Sequence, residues 1–70
     1  MKKLTLEEKV EIRGDLIECA KVYKNANPEN QKVIDVWINK YLLERVLYGT
    51  GNYVLYCGYM KLYRGFKEKQ

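Results

Sequence analysis

Histidine and serine are absent from the sequence. Their absence removes the commonest nucleophile–base pairs and the usual neutral-pH proton carrier. Cysteine occurs only as Cys19 and Cys57, far apart in the chain. A structural zinc site wants four ligands, usually in two close pairs, so no metal and no cofactor are expected. Neither thiol has a histidine to activate it, and catalysis is not expected. The N-terminus carries charge too early for a secretory leader. Two free thiols are therefore the favoured reading and a Cys19–Cys57 disulfide the alternative. The turn Gly49-Thr50-Gly51-Asn52 is not followed by the Gly-Lys-Ser/Thr that a phosphate-binding loop requires. Charge is missing altogether from Val46 to Met60. That run is shorter than the roughly 20 residues of a membrane span, so an intracellular, cytoplasmic protein with no membrane contact is expected.

What is present is aromatic and unevenly charged. Six of the seven tyrosines lie between Tyr41 and Tyr63. The net charge is +4, but residues 1–44 balance, and the excess comes from Arg45, Lys61, Arg64, Lys67 and Lys69 against Glu68 alone. With 70 residues, the chain makes a single domain over 1–70. A chain of this length buries only about 60% of its unfolded surface, and small folds recover stability through disulfides, metals or association. With the first two disfavoured, association remains.

The pattern predicts an all-α three-helix bundle that self-associates. Thr5 and Glu8 have capping-box spacing and start a first helix that runs to about Lys24. Asn27 caps a second helix with Pro28 at its first position, running to about Tyr48 with Gly49 as C-cap. Thr50 or Asn52 starts a third, which ends near Phe66. Tyrosine, valine and glycine favour strand there. At about 100° per residue, however, Leu55, Tyr56, Tyr59, Leu62, Tyr63 and Phe66 share one arc, as a helix requires. The alternative architecture is two helices plus a C-terminal Tyr-rich β-hairpin. Residues 1–4 and 67–70 are expected to fray.

Three surfaces stand out. Glu7, Glu11, Asp15 and Glu18 form an acidic stripe on the first helix, which suits a basic protein surface or this chain's own basic C-terminal third. The second helix has two apolar stripes, Ile34-Trp37-Ile38-Tyr41-Tyr48 and Val33-Val36-Leu43-Leu47, whereas a surface helix of a monomer normally has one. We expect self-association through Trp37, Ile38, Tyr41 and Tyr48, joined by Tyr56, Tyr59 and Tyr63 of the third helix. Gly51, Gly58 and Gly65 repeat every seven residues, which would either admit a second backbone or mark the segment as non-helical.

The function expected from these surfaces is non-catalytic protein–protein interaction. The chain would be a homodimeric adaptor or inhibitor acting on a protein target, in the style of virus-encoded accessory factors. The alternative is nucleic-acid binding through Lys61, Arg64, Lys67 and Lys69, with tyrosines stacking on bases. A base-reading helix carries polar side chains in its first turns, and here those positions are Tyr53, Val54, Leu55 and Tyr56.

Overall fold

Thr5 accepts from the Glu8 amide and Glu8 Oε1 accepts from the Thr5 amide, both at 3.1 Å, so a complete capping box starts the first helix. The structure, a computed structural model, describes residues 3–68. Helix α1 is Leu6–Lys24 and helix α2 is Pro28–Leu42, continued by a π-helical segment Leu43–Tyr48; helix α3 is Tyr53–Glu68. Asn27 caps α2 by accepting from the Asn30 amide at 2.9 Å, with Pro28 at the first helical position. Asn52 caps α3 by accepting from the Leu55 amide at 3.0 Å. The fold is all-α, with no strand among the described residues. The β-hairpin alternative is overturned: the amphipathic arc of α3 outweighs the strand preference of its tyrosines and valine, because only a helix turns that arc inward.

The core follows i, i+4, i+8 spacing on two helices. Ile12, Leu16 and Ala20 come from α1, and Ile38, Leu42 and Val46 from α2 and its extension, with Tyr63 of α3 between them. Tyr56, Tyr59, Met60, Leu62 and Phe66 pack around this cluster from α3. The molecule is a rod of 38 × 19 × 15 Å.

The π segment explains how the second core row stays straight. In an α-helix a four-residue step overshoots a full turn by about 40°. Ile38, Leu42, Val46 and Thr50 would therefore drift off the core within three steps. Bonding from i to i+5 turns the chain less per residue and cancels the drift. All four residues are buried as a result. Thr50 donates to the Val46 carbonyl at 2.6 Å and accepts from the Asn52 amide at 3.0 Å, so its buried hydroxyl is satisfied.

Gly49 follows Tyr48 as the C-cap, as expected, but keeps right-handed helical angles (φ −72°), and the left-handed turn comes at Gly51 (φ 70°). Lys67 and Glu68, expected to fray, lie in α3, with Lys67 paired to Asp35 at 3.0 Å. Leu4, also expected to fray, packs against the core; Met1, Lys2, Lys69 and Gln70 lie outside the described residues. No other element of this chain lies against Gly58 or Gly65: the space within 4 Å of where their Cβ would stand is open.

Candidate protein-interaction surface

Helix α2 is clamped between its neighbours along two edges. On one edge Tyr41 donates to Asp15 of α1, and Arg45 Nη1 pairs with Glu11 Oε1 at 3.1 Å. On the other, Tyr56 of α3 donates to Asn39, while Tyr63 and Lys67 both donate to Asp35, at 3.2 and 3.0 Å. Between these edges Ile38 and Leu42 point into the core. The face of α2 opposite the core therefore looks outward. Val33 is 66% exposed, Val36 71% and Trp37 53%. These three, with Lys32 and Lys40, line a shallow apolar groove of about 390 Å³. Trp37 is held by stacking on Tyr41, with ring centroids 5.5 Å apart.

The residues expected to mediate self-association thus divide. Trp37 lies on the outward face. Ile38 (0% exposed) and Tyr63 (2%) do not, because the single chain buries them completely, and that part of the expectation is corrected. Tyr41, Tyr56 and Tyr59 are half-buried against the core, with the first two hydroxyls bonded inside the chain. The tyrosine arc of α3 fills the space that α1 and α2 leave with aliphatic side chains alone. Tyr48 is 72% exposed, because the π segment rotates it away from the stripe it would join in a regular helix.

The acidic stripe divides as well. Asp15 and Glu11 are engaged by Tyr41 and Arg45, so the matching basic surface is partly the chain's own. Glu7 and Glu18 are exposed. Among the basic residues, Lys61 and Arg64 are exposed on α3 and Lys69 lies outside the described residues. Lys67 is withdrawn from solvent. Its Nζ stands 4.5 Å from the Tyr23 ring centroid and 4.8 Å from that of Tyr63, against the Asp35 carboxylate. Sequence reading missed this cage because its four members come from three helices. The only signal was Asp35 interrupting the apolar run from Val33 to Trp37.

A second apolar opening of about 620 Å³ lies at one end of the rod. Leu4, Val54 and Leu55 form its apolar lining, with Lys3 and Lys9 at the same opening. Among the described residues no cluster of three metal-ligating side chains occurs, and no helix is long and apolar enough to cross a membrane.

Protonation chemistry follows burial. Cys19 is pushed above the usual thiol range by burial, then by Asp15 and Glu18, which disfavours the thiolate. Burial raises Tyr41, assisted by its hydrogen bond to Asp15, and raises Tyr63, assisted by the charge of Asp35. In the unfolded chain both phenols ionise near about pH 10, while the folded chain keeps them protonated. Above that pH the native state holds more protons than the unfolded state, so stability falls as pH rises; below it their contribution is fully present. In an alkaline titration Tyr41 and Tyr63 should ionise together with the loss of helical circular dichroism, and Tyr41→Phe or Tyr63→Phe should remove part of that step.

No family model, curated protein or solved structure matches this chain.

Proposed function

We propose that the chain is a non-catalytic protein-interaction module that works as a homodimer and acts on a protein target as an adaptor or inhibitor. The observation that carries this reading is the bare strip Val33-Val36-Trp37 on a helix whose opposite side packs into the core. Two valines and a tryptophan side by side in a groove are unlike the single exposed apolar residues that any surface carries. A tryptophan with its ring half open and its position fixed by stacking suits an interface anchor. The absence of serine and histidine, and the protonated state favoured at Cys19, argue against catalysis. For a protein target the exposed acids Glu7 and Glu18 of α1 offer a charged edge. Nucleic-acid contact is the weaker reading, because Lys67 already serves Asp35 and two tyrosine rings.

Trp37 is the sole tryptophan, so its emission reports on this face alone. Raising the protein concentration should shift that emission to the blue as the indole leaves water. Emission that stays constant from low to high micromolar concentration would contradict the proposal.

A further inference from the structure

The outward face of α2 has a register written into it. Glu29, Val33, Val36 and Lys40 follow spacings of four, three and four residues, which is the stripe of a two-helix seam. All four are exposed and turned away from Ile38 and Leu42. Lys32 flanks the stripe on one side and Trp37 on the other, at about 100° per residue. The seam is apolar at its centre, acidic at its N-terminal end and basic at its C-terminal end.

That order decides the orientation of a partner helix with the same sequence. In a parallel pair each seam residue meets its own copy, which sets Glu29 on Glu29 and Lys40 on Lys40. In an antiparallel pair about a twofold axis crossing between Ile34 and Asp35, Val33 meets Val36 of the other copy and Glu29 meets Lys40, each twice. Sliding the antiparallel pair by a heptad either way places Val36 against Lys40 or Val33 against Glu29, so a charge faces a valine. One arrangement satisfies both the apolar and the charged positions.

We infer that this protein dimerises by antiparallel packing of α2 against α2 of a second copy, with Val33–Val36 layers at the centre and Glu29–Lys40 ion pairs at both ends. The inference rests on the homodimer reading above and adds its geometry. Flanking positions in an antiparallel pair lie beside their own copies, so the two Trp37 rings cover the valine layers from one side. The two Lys32 residues share the other side, about 7.5 Å apart along the axis, and their stems carry the ammonium groups out to water. The seam spans about 17 Å of helix. Such a contact falls below the standard interface size of about 1,600 Å², so a dissociation constant in the micromolar range is expected.

Charge reversal tests the register. Glu29→Lys turns both end pairs into lysine–lysine contacts, and Lys40→Glu turns both into glutamate–glutamate contacts. Each should weaken association about tenfold, since two exposed pairs are lost and replaced by repulsion. The double variant E29K/K40E restores opposite charges at both ends and should associate within about threefold of wild type. Both sites are exposed, and far-UV circular dichroism confirms that the variants fold. Single reversals that leave association unchanged, or a double variant as weak as the singles, would overturn the register while leaving the homodimer standing. A wild-type chain that never associates would overturn both.

Discussion

Val36→Glu should give a chain that folds as well as wild type and no longer self-associates. Val36 is 71% exposed, so the substitution removes little buried area from the monomer. Glutamate is also the better helix former of the two, and a surface change of this kind stays within about 0.5 kcal/mol. In the dimer the outcome is different. The twofold axis brings two new carboxylates into the apolar centre of the seam, each facing Val33, while the nearest cations, Lys32 and Lys40 one turn away on the same helix, lie at its solvated edges. Desolvating a carboxylate costs several kcal/mol, of which an exposed i,i+4 pair returns only about 0.5 kcal/mol, so association should weaken at least about 100-fold. The check is a pair of measurements: urea unfolding monitored by circular dichroism, and the self-association constant from sedimentation. Association that survives Val36→Glu would move the interface to another face.

Leu42→Ala should do the opposite. Leu42 is fully buried in the row Ile38-Leu42-Val46, packed between α1 and α3. Truncating a buried leucine removes its transfer energy and leaves a cavity, at a cost of about 3 kcal/mol. Domains of this size hold only about 3–5 kcal/mol from a single core, so most of the stability would go. The urea midpoint should fall steeply, and loss of association should follow from unfolding rather than from a lost contact. A variant that keeps its wild-type midpoint would mean that the core lies elsewhere. Leu42 and Val36 lie six residues apart on one helix, and the contrast between them separates what holds the monomer together from what joins two copies.

Much of this division could be read from the sequence. Thr5-Glu8 and Asn27-Pro28 placed the first two helix starts, because capping needs only local chemistry. The arc of Leu55, Tyr59 and Tyr63 placed the third helix against its own strand preference. Two apolar stripes on α2 predicted a helix with more greasy sides than usual, and Val33, Val36 and Trp37 are bare. Neither stripe is bare as a whole, since Trp37 comes from one and Val33 and Val36 from the other. Tyrosine has an apolar ring and a polar tip, and its sequence position does not say whether the ring serves the chain's own core or a partner. Tyr56 and Tyr63 turned inward because Asn39 and Asp35 were there to accept their hydroxyls. The π segment was invisible in the periodicity, since it inserts a phase change within a run of apolar residues, and it moved Tyr48 outward. The acidic stripe of α1 read as a docking edge because its partners, Tyr41 and Arg45, lie far along the chain. Pairings between distant positions carry no local signature.

Sedimentation equilibrium of the wild-type chain from low to high micromolar concentration tests the central claim most directly. The average mass should rise with concentration from that of the 8.4 kDa monomer towards twice that value, and Val36→Glu should hold it at the monomer throughout. A wild-type chain that remains a monomer at the highest concentration would show that the open strip on α2 does not join two copies.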